Sequence, residues 1–503
     1  MTFPILSVIV FTPIAAGMLL LLFPAERKTA IRVAALTAAT IDLGLSLVAY
    51  FSYDVAAGGY QMAEKVAWIP QLGVSYHVAV DGMNLPLVLL TGVVMFTGVL
   101  ISWGIDDRPR DFFAFLFVLA TGVFGVFVSQ DLFQLFFFYE IAVFPMYLLI
   151  SIWGWQVTRE YAAMMLRLFV FVGSVIALVG GLALYYTAGL RSFDLMDLQQ
   201  AAQAGAFDGT VSLFGATIPF QVFWFPVVFF GFAVLGGIFP VHNWSPDGHV
   251  AAPTAVSMFH AGVLMKLGAF AALRVGIMLL PDGARYWSGL ILVLATINVV
   301  YGAFIAMVQT DFKYVIGFSS VSHMGLVMLG FATLNRPGLT GAGLQMFSHG
   351  VMTALFFAVV GMVYDRAHTR DIPKLGGFVK VMPLVAVAFI VGGLVSMGMP
   401  GFSGFVAEFP IFMGLWQRQP IVACIAAIAI VVTAAYILRV IGRVFFGAMP
   451  AEFEGHIPPI SVMDKVALVI LAGILILVGI YPAVIAPMVQ SGADAVLRVL
   501  GGA

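Results

Sequence analysis

Apolar runs of about twenty residues recur from one end of this chain to the other, and no other feature constrains its fold more. A helix needs roughly 20 apolar residues to cross a hydrocarbon core about 30 Å thick. Runs of that kind lie near 4–23, 31–52, 82–103, 111–129, 131–153, 161–187, 221–240, 251–278, 286–307, 312–332, 340–364, 383–414, 421–446 and 464–486. They predict an all-α integral membrane protein of about fourteen transmembrane helices. Composition agrees: 62% of residues are hydrophobic and 9% are charged, where a soluble domain carries roughly 25% charged residues. The opening run, Phe3 to Phe23, reads as the first span rather than a signal peptide, because many spans follow and no small-residue cleavage site is clear. The surroundings are membrane lipids. A net charge of −1 argues against nucleic acid as a partner. A single cysteine, Cys424, excludes disulfides and cysteine-based metal or iron–sulfur sites.

Lysine and arginine are denser in alternate loops, as the positive-inside rule requires. Arg366, Arg370, Lys374 and Lys380 crowd the loop after span eleven, while the long loops 53–81 and 188–220 hold one Lys or Arg each, Lys65 and Arg191. This bias puts the N-terminus on the outer side of the membrane. Two spans are interrupted, span seven at Gly236-Gly237 and Pro240, span twelve at Pro400-Gly401. Broken helices in corresponding positions point to inverted repeats, here spans four to eight and nine to thirteen. The organisation read from this is an N-terminal three-helix segment (1–110), two repeats (111–278 and 286–446) and a C-terminal helix and tail (464–503).

Few ionisable residues lie deep in the spans, and most share a depth. Glu140 lies about nine residues into span five, roughly 14 Å along a helix rising 1.5 Å per residue. Lys266 is midway along span eight, His323 along span ten and His349 near the middle of span eleven; Glu408 follows the break in span twelve. A charged residue at such depth costs roughly 2.5 kcal/mol or more, so five of them at one height predict a shared, hydrated interior. Glu, Lys and His in series can pass a proton through bridging water. His260, just before Lys266, and Arg167 in span six are possible auxiliaries, though each lone histidine also fits simple helix packing and Arg167 a structural pair. His242 and His249 flank Pro246 and lack a third ligand, so no metal site is expected. No phosphate-binding glycine loop and no nucleophile elbow appears.

These residues sit in segments that resemble a known family. They are DLFQLFFFYEIAVFPMYLLI (131–150), PVHNWSPDGHVAAPTAVSMFHAGVLMKLGAFAALR (240–274), QTDFKYVIGFSSVSHMG (309–325), QMFSHG (345–350), YDRAHTRDIPKLGG (364–377) and PGFSGFVAEF (400–409). The chain resembles the NuoM-type antiporter-like subunit, chain M, of proton-pumping NADH:quinone oxidoreductase (respiratory complex I), and more widely the subunits of multisubunit cation/proton antiporters. His249 of SPDGH and the acidic Glu408 favour the M-type. The resemblance implies a fourteen-helix fold with two inverted five-helix repeats and no redox centre in this chain. NADH, FMN, iron–sulfur clusters and quinone are then expected in partner subunits, beside neighbouring antiporter-like and other membrane-arm chains. It also implies a proton path through Glu140, Lys266, His323, His349 and Glu408.

One residue departs from the family. Where relatives usually place a lysine in span seven, paired with the span-five glutamate, FAVLGGIFPVHNW has Leu235. The span-six lysine of many relatives is replaced by Met165, and His260 is more like the antiporter and L-type chains. Glu140 therefore loses its usual counter-charge. Either His260 or Arg167 substitutes, or Lys266 pairs with Glu140 through water, or the inlet half is silent. Three functions follow: a proton-translocating subunit driven by quinone reduction elsewhere, a weakly pumping or structural subunit, and a cation/proton antiporter subunit.

Overall fold

The computed structural model describes residues 3–501. Eleven helices among them are long and apolar enough to cross a membrane, and they make the chain an integral membrane protein. They coincide with eleven expected spans: Lys28–Ser52 (span two), Leu85–Gly104 (three), Pro109–Val128 (four), Leu132–Trp153 (five), Arg159–Ala188 (six), Thr254–Ile277 (eight), Pro281–Val308 (nine), Phe312–Ala332 (ten), Arg336–Ala367 (eleven), Pro420–Phe445 (thirteen) and Val462–Ile480 (fourteen). The other three expected spans hold shorter apolar helices, Ile5–Leu20, Phe220–Leu235 and Pro383–Ser396. The last two stop at the glycine–proline breaks, and the chain resumes as Trp244–Ala251 and Ser403–Arg418.

The expectation of a purely helical chain needs one correction. Each long polar loop carries an antiparallel hairpin, Gln61–Ile69 with Val74–Val80 and Thr210–Leu213 with Ala216–Pro219. The cause is local: VSYHVAV is rich in β-branched residues, which favour extended backbone, and Gly73 supplies the left-handed turn residue at φ 72°. Lys65 and His77 from the first hairpin both bond Asp194 in the second loop, at 2.6 and 2.7 Å. The tail is more ordered than expected, with a further helix, Ala486–Val499, fixed by Arg336 to Asp494 at 2.7 Å.

The spans that begin at Leu132, Phe312, Arg336 and Val462 are capped by side chains. Asp131 accepts from the Gln134 N–H before span five, and Asp311 accepts from the Lys313 and Tyr314 N–H groups before span ten. These bonds satisfy donors that the first helical turn leaves free. Asp131 also makes a short bridge to Asp194, beyond span six, and Asp311 makes the matching bridge to Asp371, beyond span eleven.

The two breaks repeat each other in the same way. Gly237 and Gly398 take left-handed backbone, φ 73° and 63°. The N–H groups of Gly237 and Ile238 bond the Val234 and Ala233 carbonyls; those of Gly398 and Met399 bond the Val395 and Leu394 carbonyls. Spans eight, ten and eleven are enclosed by other helices along nearly all their length, whereas six, nine, thirteen and fourteen turn much of their surface outward. The core is therefore helical surface rather than lipid, and it can hold polar side chains.

Spans seven and eight approach closely at Gly268, where a Cβ would lie 2.4 Å from the Gly236 nitrogen. Gly268→Ala is expected to lower stability by about 1–3 kcal/mol through overpacking. Gly289→Ala, with nothing within 4 Å of the added carbon, should leave the protein as stable or slightly more so. Thermal unfolding in detergent compares the two.

Candidate functional site

Lys266 is fully buried, on the fully enclosed span eight. A π-helical turn, His260–Leu264, immediately precedes it. Such wide turns are frequent at functional positions. The Lys266 ammonium donates to the Ala261 carbonyl in that turn and lies 2.8 Å from His349 Nδ1 on span eleven. Among the described residues no carboxylate forms an ion pair with it. Lys266 Nζ and His349 Nδ1 are thus within hydrogen-bond distance of one another.

His349 continues the line. Its ring centroid is 5.4 Å from that of His323 on span ten. His323 Nδ1 lies 3.3 Å from Glu408 Oε1, and both side chains are buried. Gln345 holds this pair from the side, its amide donating to Glu408 Oε1 at 3.4 Å and standing 3.2 Å from His323 Nδ1. His323 Nε2 meets Ser396 Oγ at 3.0 Å, on the last residue before the span-twelve break. The break also makes room for the carboxylate: a Cβ on Gly398 would come within 2.8 Å of Glu408 Oε2. Four spans thereby place Lys266, His349, His323 and Glu408 in one sequence of neighbours. The sequence reading had identified all four, and missed Gln345 and Ser396. Neutral polar residues cost too little in an apolar run to stand out; Gln345 could have been found only as the first residue of QMFSHG.

Glu140 stands apart, contrary to the expectation of one row of five. It lies on the outer face of spans five and six, with a side chain 38% exposed in the isolated chain. Arg167 Nη1 donates to its Oε2 at 2.9 Å and Ser174 Oγ to its Oε1 at 2.8 Å. The Arg167 guanidinium also lies 5.0 Å from the Phe171 ring centroid, within cation–π range. Of the substitutes considered for the missing lysine, the geometry singles out Arg167. Leu235 itself is fully buried, as is Phe232 beside it, so nothing titratable at position 235 links Glu140 to the interior.

His260 packs among other rings. Its ring lies 4.0 Å from His249 and stacks on Trp244 at 5.2 Å. His242 does not join them; it packs against Phe239 and Tyr301.

The residues 129–433 match the family described as "NADH:quinone oxidoreductase/Mrp antiporter, TM". The chain belongs to that family. Across 465 residues it is 36% identical to the NAD(P)H-quinone oxidoreductase chain 4-2 of Synechocystis sp., covering 91% of this chain and 79% of the relative. A chain of respiratory complex I from Thermus thermophilus superposes with a TM-score of 0.88 at 26% identity, covering 99% of this chain and all of the other. A chain of the Mrp complex from Dietzia sp. shares the fold, with a TM-score of 0.86 at 21% identity over the full length of both. The family core, 129–433, contains all of Glu140, Arg167, Leu235, Lys266, His323, His349 and Glu408. As a member of this family the chain is an antiporter-like membrane subunit.

The Arg167–Glu140 pair makes a direct prediction for this family member. Arg167→Ala should destabilise the protein, and Glu140→Gln in the same chain should recover much of that loss. The coupling between the two substitutions is expected at about 0.5–3 kcal/mol. A double-mutant cycle by unfolding in detergent measures it; strict additivity would show that the pair is not an interaction.

Proposed function

We propose that this chain is the M-type, proton-translocating membrane-arm subunit of a complex I-type NADH:quinone oxidoreductase, working as a fourteen-helix unit in the inner plasma membrane with its N-terminus outside. One observation carries the reading: Lys266, His349, His323 and Glu408 follow one another through four enclosed spans at 2.8 Å, 5.4 Å between rings, and 3.3 Å. Two inverted repeats, spans four to eight and nine to thirteen, account for the paired breaks at Gly237 and Gly398 and for the paired bridges at Asp131 and Asp311. The segments 1–110, 111–278, 286–446 and 464–503 are the units of that organisation.

In this reading Lys266 is the central carrier. A proton on its amine passes to His349, then through a bridging water to His323, and is received by Glu408 near the exit. Each transfer changes the charge beside the next group, and the low dielectric between enclosed helices makes that change felt. Glu140 with Arg167 is the electrostatic input. Its half-exposed face is where an adjacent membrane subunit would cover it. Redox chemistry, with NADH, FMN, iron–sulfur clusters and quinone, belongs to partner subunits. Lys266→Ala is expected to remove the protons moved through this chain, read as fewer protons per electron in vesicles holding the assembled complex. An unchanged ratio would overturn the role.

A second reading is favoured by Leu235. Apolar and fully buried, it leaves the inlet half without the usual lysine, so the chain would occupy its place in the complex without pumping. Leu235→Lys separates the two. A raised proton ratio supports the non-pumping native chain; an unchanged or lowered one supports a native route that does not use position 235.

A further inference from the structure

Behind His323 lies a polar group that the proton line does not use. His323 Nε2 meets Ser396 Oγ at 3.0 Å. On span thirteen the Tyr436 hydroxyl donates to Ser319 Oγ at 2.8 Å, and Ser396 and Thr433 are further hydrogen-bonding neighbours of the same phenol. All these side chains are buried, Tyr436 completely. Ser319 stands one turn before His323 on span ten, and Ser396 ends the helix before the span-twelve break. Spans ten, twelve and thirteen thus gather three hydroxyls, Ser396, Tyr436 and Ser319, into a chain that starts at one imidazole nitrogen.

This chain is a side branch. Phe312, seven residues before Ser319 and so on the same face of span ten, packs against Phe389 and Phe445 with centroids 5.3 and 6.4 Å apart, and all three rings are fully buried. Apolar rings close the way beyond Ser319, so the hydroxyls act on His323 rather than carry protons past it. The other nitrogen of the ring shows how. His323 Nδ1 is 3.2 Å from Gln345 Nε2 and 3.3 Å from Glu408 Oε1. An amide nitrogen only donates, so Nδ1 accepts from it and the hydrogen of the neutral ring sits on Nε2. That hydrogen needs an acceptor, and a serine oxygen is free to accept when its own hydrogen is taken elsewhere. Tyr436 takes it, and passes its own hydrogen to Ser319. Each hydroxyl accepts from the one before and donates to the next. The bond made at one imidazole nitrogen decides what the other can do.

We propose that Tyr436 is a positioning residue for the proton relay: through Ser396 it holds the hydrogen of His323 on Nε2 and so keeps Nδ1, the nitrogen facing Glu408, open to take up and hand on a proton. The proposal rests on the reading of His323 as a relay. No bond to hydrogen breaks in the hydroxyl chain itself. The imidazolium that forms when Nδ1 is protonated keeps the same three bonds, now strengthened by its charge. Without the tyrosine oxygen, the Ser396 hydrogen turns back towards Nε2. The ring hydrogen then moves to Nδ1, and the nitrogen that should receive a proton is already filled.

The test uses the assembled complex in sealed vesicles, with protons per electron measured across pH during quinone reduction. The titratable groups facing His323 are Glu408 from span twelve, His349 from span eleven and Tyr436 from span thirteen. Lys266 and His249 stand behind His349, and Asp247 meets span ten at Tyr314, nine residues before His323. Span nine approaches span ten with the neutral Asn298, against Gly325. Tyr436→Phe keeps the ring and removes the hydroxyl. The fall of the ratio at alkaline pH is expected about one pH unit below its wild-type position, the size of one hydrogen bond to a charged ring. Ser396→Ala should move it likewise, and Tyr436→Phe should add nothing in the Ser396→Ala background. His323→Gln should lower the ratio at every pH. If His323→Gln lowers the ratio while Tyr436→Phe leaves the profile in place, or moves it equally with and without Ser396, the positioning role is wrong and the relay reading stands. If His323→Gln keeps the wild-type ratio, both fall. Should Tyr436→Phe fail to assemble, Ser319→Ala, which removes the acceptor at the end of the chain, takes its place: a shift in the same direction supports the role and an unmoved profile overturns it.

Discussion

A buried lysine in a membrane protein, with no carboxylate ion-paired to it among the described residues, is the constraint around which this structure is built. Hydrocarbon would not tolerate it. The chain supplies a carbonyl from a widened helical turn, a ring nitrogen of His349, and a jacket of other helices around spans eight, ten and eleven. The jacket needs close helix approach, which is why glycine stands at the contact between spans seven and eight. It also needs helices that stop mid-membrane, because only a broken helix can turn Ser396 and Glu408 towards the same histidine.

The two halves of the chain are built on one plan and equipped differently. Both breaks use a left-handed glycine with the same pair of backbone bonds, and both halves begin a span on a capping aspartate bridged to a distant loop. In the second half the residue two places before that glycine is Ser396, which contacts His323; in the first half it is Leu235, buried and without a polar group on its side chain. Backbone architecture has been kept where side-chain chemistry has diverged. The polar line accordingly runs from the middle of the molecule through its second half.

Much of this was legible in the sequence, because the strongest signals in a membrane protein are exclusions. Long apolar runs gave the spans, and an ionisable residue inside one stands out, which is how Lys266, His323, His349 and Glu408 were found. Glu140 was misplaced for a definite reason. Counting residues from the start of a helix fixes height in the membrane, but not which way the side chain faces, and Glu140 faces outward. Its partner was equally hidden, since Arg167 meets it only through the packing of spans five and six. The His249–His260 contact depends on how the chain turns at Pro253 between two helices, which no periodicity reports. The hairpins are short and lie in polar loops, where no long apolar run marks them.

Arg167 has a consequence of its own. A lysine opposite a glutamate can surrender its proton and leave the carboxylate bare, so such a pair can discharge. A guanidinium keeps its charge at any accessible pH, and its planar fork is held here by the Phe171 face as well as by the carboxylate. The cation of the Glu140 site, on the outer face of spans five and six, therefore cannot be discharged by handing on a proton, whatever the state of the carboxylate.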